Sequence, residues 1–344
     1  MVRVLSEADV ASVLDLGPLL PVVADAFAKQ YRGAVERPDR PHFPVGEGLD
    51  GGPLGTGLTM PAYVHGAPYY ATKLASVHEG NAERGLPTVN AQIALTDAAT
   101  GQPVAYMAGT RVTNARTGCI PGLAARELAP AGPVSLGVFG AGTQARWGTR
   151  AIAAAVGGAL ERVRIYSPSD SRERCAADLR ADLAADTDVR AVDDPAAALA
   201  GSTVVLTATT SATPVFDGDL LDDGTLVVAV GAYTAETREL DAATFARADR
   251  VFADVPGEVA AVGDLRGTGL AAADLTPFGR VFAEGAARTA EGIVVVESVG
   301  TAVLDAAAAV HLYDRAVDAG VGRTIPLAGG ESEGGAGGAD AGEE

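Results

Sequence analysis

Several things are scarce in this chain, and each scarcity excludes a class of protein. Only two cysteines occur, Cys119 and Cys175, too few for a disulfide framework and in keeping with a reducing cytoplasmic compartment. No apolar run nears the roughly 20 residues of a membrane span, and the opening MVRVLSEADV carries no signal-peptide h-region. The four histidines, His42, His65, His78 and His311, show no ligand spacing, so no metal is expected. A Gly-x-Ser-x-Gly elbow is also missing, which argues against a Ser-His-Asp hydrolase. Lysine is the rarest basic residue: Lys29 and Lys73 stand alone among 26 basic positions, and the others are arginine.

What is abundant is acid. A net charge of −18 repels phosphate backbones and anionic lipid, so neither nucleic acid nor a membrane surface is an expected partner. An acidic, alanine-rich chain nearly free of lysine points to a halophilic habitat. Against that background a retained lysine needs a reason. Lys29 lies in a helical pattern, where a solvated face suffices. Lys73 sits in the apolar run YYATKLAS, where a bare ammonium is costly unless paired.

With 344 residues and 48% hydrophobic composition, the chain can fill two cores. Residues 6–35 carry apolar side chains at helical spacing, and 36–57, rich in Pro, Gly and Arg, read as a loop. The runs LTMPAYV, YYATKLAS, AQIALTD and PVAYM between 58 and 107 predict a small, mostly antiparallel sheet, with DAATGQ as one of its turns; a helix over 110–128 follows. After the break APAGP at 129–133 the texture changes. VSLGVF, VRIYS, STVVLTAT, TLVVAVG, RVFADV and GIVVVESVG predict buried strands alternating with helical stretches, hence a parallel sheet covered on both faces. The expected class is α/β, a doubly wound Rossmann-type sheet over 130–300 and an α+β unit built from 1–129 plus 301–327. The helix over 301–318 packs back on the first unit, and the tail 328–344, without an apolar face, is expected to be disordered.

The first strand of that series runs into Gly140-Ala141-Gly142-Thr143-Gln144-Ala145 and then a helix. This is the dinucleotide fingerprint in its proper setting. Gly140 permits the tight turn, Gly142 lets the backbone reach a pyrophosphate, and Ala145 takes the place of the third glycine. The helix N-terminus, opening with Thr143 and Gln144, offers free N–H groups to the phosphates. The cofactor is therefore NAD(P). At the end of the second strand, Ser167, Ser169, Asp170, Arg172 and Arg174 replace a well-placed ribose-binding acid. Hydroxyls and arginines there lean the choice toward NADP(H), unless the arginines only face solvent.

Four polar residues stand out in apolar or Gly/Pro contexts: Arg40 in ERPDRPHF, Lys73, Thr88 in GLPTV and Arg116 in NARTG. Two arginines and a lysine converging on one point would clamp a carboxylate; taken singly, each is as well explained by a surface or structural ion pair. Together with MPAY (60–63), DAATG (97–101), GAGTQA, VGAYTAETREL (230–240) and ESVGTAVLD (297–305), these blocks resemble, in order and over residues 1 to about 325, the family of ornithine cyclodeaminase, μ-crystallin and archaeal alanine dehydrogenase. The resemblance implies a Rossmann domain inserted in a substrate and dimerisation domain, and a homodimer. It implies that Arg40, Lys73 and Arg116 are catalytic and hold a substrate carboxylate, and that Thr88 lines the pocket. It also implies that Thr207, Thr209, Val230, Gly231 and the stretch from Ser298 to Gly300 border the nicotinamide.

One departure bears on the chemistry. Ornithine cyclodeaminases carry an aspartate that engages the substrate amine where this chain has Tyr233. A phenol with an ordinary pKa of about 10 is a donor at neutral pH, not a ready base. It either serves the substrate in that capacity or packs against the nicotinamide, and Glu236 nearby is the alternative base. Deamination needs a base for the ammonium proton; reduction of a protonated cyclic imine does not. The expected activity is therefore reduction of a small cyclic ketimine. Ornithine cyclodeamination and alanine dehydrogenation are the alternatives, and a non-catalytic NADPH-binding protein is the alternative outside enzymology.

Overall fold

The computed structural model describes residues 1–49, 51–285 and 292–327; the tail expected to be disordered lies outside the described residues. The chain opens with β1 (Val2–Leu5), α1 (Glu7–Val13) and α2 (Leu16–Tyr31). Ser6 and Asp9 form a reciprocal capping box on α1, and Asp15 caps α2. Next come β2 (Val35–Glu36), β3 (His42–Val45), β4 (Gly55–Val64), β5 (Tyr69–Val77), β6 (Val89–Asp97), β7 (Pro103–Ala108) and α3 (Gly109–Leu128). The strands form one sheet in the order β1-β7-β6-β5-β4-β2, with β3 also on β4. The pairing is antiparallel apart from β1 with β7.

The segment 36–57 is thus not all loop. His42–Val45 folds back on Gly55–Leu58, and the absent side chain of Gly57 makes room for the Phe43 ring, which lies 2.9 Å from where a Cβ would stand. Alternation along β4 to β7 buries Met60, Ala62, Val64, Ala71, Ile93, Leu95, Ala105 and Met107. Lys73 occupies a core-facing position of the same pattern. The opposite face exposes Tyr70, Leu74 and Tyr106.

The second sheet is built from β8 (Val134–Phe139), α4 (Thr143–Val156), β9 (Leu160–Tyr166), α5 (Ser171–Asp182), β10 (Asp188–Val192), α6 (Pro195–Leu199), β11 (Val204–Thr207) and β12 (Leu226–Ala229). It continues through α7 (Ala242–Ala246), β13 (Ala248–Ala253), α8 (Pro256–Val259), β14 (Thr276–Pro277), α9 (Gly279–Glu284) and β15 (Ile293–Glu297). All its pairs are parallel, in the order β10-β9-β8-β11-β12-β15-β13-β14. The winding reverses between β8 and β11, where ligands of open α/β sheets bind.

The chain then returns. Thr301 caps α10 (Ala302–Asp318), which packs on α2, β4 and β5, and β16 (Arg323–Ile325) pairs antiparallel with β1. The two sheets are joined most closely by α3 against α4. A Cβ on Gly118 would lie 2.9 Å from the Trp147 backbone, and one on Gly122 would lie 2.6 Å from the Ala151 carbonyl oxygen. Gly122→Val should therefore force these helices apart and lower the unfolding free energy by about 1–3 kcal/mol. Denaturant unfolding of the variant checks this, and an unchanged midpoint would mean that the helices have room to separate.

Candidate active site

The turn after β8 has the geometry that a dinucleotide requires. Gly140 has φ +104°, and a Cβ there would meet the Ala208 carbonyl oxygen at 2.5 Å. Gly142 heads α4, and nothing lies within 4 Å of where its Cβ would stand, so the backbone can be approached closely. No side chain caps α4, so the N–H groups of its first turn, from Thr143 onward, remain for an anion. Ala145 is fully buried where the helix passes the sheet. Gln144 reaches out instead, and its Nε2 donates to Asn114 Oδ1 on α3 at 3.0 Å. At the end of β9 the Ser171 hydroxyl lies 3.3 Å from that of Ser167 and 2.7 Å from that of Ser169. Arg172 is tied into this turn: it donates to the carbonyl oxygens of Ser167 and Ser169, both at 3.1 Å, and to Asp193. Asp170 and Arg174 are exposed.

On the α3 side of this turn, β5, α3 and α10 bring charged groups together. Lys73 on β5 donates to Asp305 Oδ2 at 2.6 Å, and Arg116 Nε on α3 donates to Asp305 Oδ1 at 2.8 Å. All three side chains are at most 5% exposed. One carboxylate thus carries two buried cations, and the group keeps one net positive charge. Arg116 Nη1 is buried without a partner and lies 3.0 Å from where a Cβ on Gly300 would stand; Gly300 has φ +81°. Burial draws the Lys73 ammonium down to about 8, against the pull of Asp305 and with help from Arg116 and Arg40. Burial alone would raise the Asp305 carboxyl, but the charges and hydrogen bonds of Arg116 and Lys73 outweigh it and hold it below its ordinary range.

The other residues singled out in the sequence are placed differently. Arg40, close enough to act on Lys73, donates through Nη2 to Glu258 Oε2 at 2.9 Å, and Arg37 shares the same carboxylate. Thr88 is exposed, and its carbonyl oxygen accepts from His78 N at 2.8 Å. Tyr233 is 44% exposed, on a turn held by Thr234 and Thr237. Burial of the ring, then the charge of Glu79, raise its phenol above the ordinary value. Glu236 is exposed on the same turn. The Thr207 hydroxyl is buried without a partner. Thr209 N and Gly231 N both donate to Glu239, while Val230 N donates to the Thr207 carbonyl oxygen. Ser298 and Gly300 are held by Asp254. Asp305, Glu239, Asp254 and Glu258 were not visible as functional residues in the sequence. For Asp305 one signal was available: an acid within the apolar run VLDAAAAV.

A profile of the ornithine cyclodeaminase/mu-crystallin family matches residues 2–320. The chain belongs to this family. Among its members, Delta(1)-pyrroline-2-carboxylate reductase 2 of Burkholderia ambifaria is 35% identical over 259 residues, which is 75% of this chain and 78% of that protein. The solved Delta(1)-pyrroline-2-carboxylate reductase of Thermococcus litoralis, in complex with NADH and L-proline, superposes with a TM-score of 0.86 at 27% identity, over 94% of this chain and all of that one. An archaeal alanine dehydrogenase, solved as a dimer with bound NAD, gives 0.84 at 27% identity, over 95% of this chain and 99% of that one. As in any such buried cluster, removing the shared anion leaves two cations uncompensated. Asp305→Asn is expected to lower the unfolding free energy by about 3–5 kcal/mol. Urea unfolding measures it, and a loss below about 1 kcal/mol would show that the cations find other partners.

Proposed function

We propose that the chain is an NAD(P)H-dependent reductase of a small cyclic ketimine carboxylate of the Δ1-pyrroline-2-carboxylate type. One observation carries this reading: Lys73 and Arg116 share the single carboxylate of Asp305, so the buried cluster is one negative charge short of neutral and has an unused donor at Arg116 Nη1. A substrate carboxylate supplies that charge and accepts that donor. The cluster adjoins Gly300, at the carboxyl edge of the parallel sheet, and α3 links it to the dinucleotide turn through Asn114 and Gln144.

The residues of the turn fit a nicotinamide dinucleotide, which supplies a hydride from its C4 when bound. The hydride adds to the imine carbon, the C=N π pair moves to nitrogen, and the nitrogen keeps the proton it already carries, giving the cyclic amino acid. The chain's own task is to hold and orient. Lys73 and Arg116 fix the carboxylate, and Arg40, held by Glu258, adds its charge nearby. Tyr233 is suited to donate a hydrogen bond rather than to take a proton, since its phenol lies above an already high ordinary value. That disfavours the ornithine cyclodeaminase and alanine dehydrogenase readings, which start by deprotonating an ammonium.

The test is oxidation of NADH and NADPH, followed by absorbance, with Δ1-pyrroline-2-carboxylate, beside NAD⁺ and NADP⁺ with L-ornithine or L-alanine. Turnover is expected with the imine, and Lys73→Met is expected to abolish it while cofactor binding persists. Cofactor binding with no turnover on any of these would favour a binding protein. Lys73 is protonated below about 8 and loses its charge as the pH rises through that value. KM for the anionic substrate should therefore climb above about pH 8 while kcat holds; a flat KM up to about pH 10 would remove Lys73 from the carboxylate clamp. For the cofactor, the serine cluster and Arg172 at the end of β9 support NADPH, so its kcat/KM should exceed that of NADH; the reverse order would assign Arg172 to the turn alone.

We further propose that the protein is a cytoplasmic homodimer adapted to salt. The exposed Tyr70, Leu74 and Tyr106 lie on one face of the first sheet and support a dimer through it. The unpaired, buried Cys119 and Cys175 support a reducing compartment, and the −18 charge supports the salt requirement. Sedimentation in concentrated salt should give twice the 34.5 kDa chain mass, with unfolding on dialysis to low salt. A monomer that stays folded without salt would overturn both.

A further inference from the structure

Four carboxyl groups lie buried behind the loops that face the nicotinamide end of the proposed site. Glu239, in the loop after β12, is fully enclosed. Its Oε1 accepts from Thr209 N at 2.6 Å and its Oε2 from Gly231 N at 2.7 Å, so one side chain ties the loop after β11 to the loop after β12. The approach is so close that a Cβ on Gly231 would lie 2.1 Å from the Thr209 carbonyl oxygen. Asp264 Oδ1 accepts from Glu239 N at 2.5 Å and Leu240 N at 2.9 Å, which fixes the backbone that presents Glu239. Asp254, after β13, accepts from Ser298 Oγ at 2.7 Å, Val299 N at 3.2 Å and Gly300 N at 2.8 Å. It thereby folds the turn against which the Arg116 side chain lies.

Glu297, the last residue of β15, stands within electrostatic reach of the other three. It is 1% exposed, and its Oε1 has no partner. On the ladder it is in register with Ala229 and, one strand further, Thr207. The buried, unpartnered Thr207 hydroxyl therefore points to the same face, across a side chain no larger than a methyl group. Arg238 acts on this group through Asp264. Burial raises Glu239 and Asp254 above their ordinary range, and the N–H groups each accepts draw them back toward the ionised form. Among the described residues no cation compensates a charge on Glu297, and like charges this close do not all ionise.

We propose that Glu239, Asp254 and Glu297 form a positioning unit for the nicotinamide: the first two, by accepting backbone N–H groups, set the three loops around it, and Glu297, as the neutral acid of the cluster, spares both a further close charge. This rests on reading the site as nicotinamide-binding. Burial, reinforced by the charges of Asp264, Glu239 and Asp254, holds the Glu297 carboxyl well above its ordinary range; burial also raises Glu239 to about 7. The folded chain thus keeps protons that the unfolded chain has released. Stability from this unit is full below about pH 4.5 and declines as the pH rises through 7 and beyond.

The test uses the full chain and NADH alone as the probe, with affinity read by fluorescence and Tm read across pH. An amide at 239 turns an acceptor into a donor opposite a backbone N–H, so Glu239→Gln should weaken NADH binding about tenfold or more. Parent Tm should fall as the pH rises through about 7, where Glu239 ionises, and further above it, where Glu297 does. Glu297→Gln should keep the first fall, lack the second, and exceed the parent in Tm and NADH affinity at the upper end. Parent-like NADH affinity in Glu239→Gln would overturn the proposal, as would a Glu297→Gln profile that falls with pH like the parent's. If Glu239→Gln does not fold, the Tm profile of Glu297→Gln decides alone. If the parent binds neither NADH nor NADPH, the nicotinamide reading fails, while that profile still reports on the proton held by Glu297.

Discussion

Asp305 gathers, with two oxygens, a lysine from one sheet and an arginine from the helix that packs against the other. Neither cation could be held in that interior without it: the desolvation cost of a bare ammonium or guanidinium far exceeds what local packing returns. The placement of α10 is therefore not only a matter of apolar burial along its alanine face. The helix delivers the counterion that lets β5 carry a charged residue at a core-facing position. Because it delivers one carboxylate for two cations, the interior is left with a directed demand for an anion beside the carboxyl edge of the parallel sheet.

Two further constraints turn that demand into a site. Glycines at 118 and 122 let α3, which carries Arg116, lie at backbone distance against α4, which starts at the dinucleotide turn. Asp254 and Glu239 meanwhile hold the strand-end loops from behind, with backbone N–H groups and, for Asp254, the Ser298 hydroxyl as their partners. In the proposed site, the carboxylate clamp and the cofactor turn are set relative to each other by helix packing, by buried acids and by the approach of Arg116 to Gly300.

The elements legible in the sequence are those whose causes are local. Strand, glycine turn and helix follow one another between 134 and 156, and the structure has them there with Gly140 in the left-handed region. The alternating runs of the first sheet were equally plain, and Lys73 was marked by its rarity in an apolar run. The hairpin at 42–58 was hidden because proline and glycine usually break strands; here a glycine opposite Phe43 is what makes the pairing fit. The anionic half of the site was hidden for another reason. Asp305 lies 232 residues from Lys73, and Glu239 meets Thr209 and Gly231 only after the sheet has formed. In a chain this rich in acid, the one mark of Asp305 is its place in the apolar run VLDAAAAV, and nothing in the sequence says which cations it meets.

That long separation also bears on synthesis. A ribosome adding about 5–20 residues per second takes roughly ten to fifty seconds to go from Lys73 to its counterion. Through that interval the first sheet is without both the helix that covers it and the charge that neutralises its core. The parallel sheet, which is contiguous in the chain, can close in the meantime. The nascent protein therefore matures from the middle outward, and its earliest residues are among the last to reach their native surroundings.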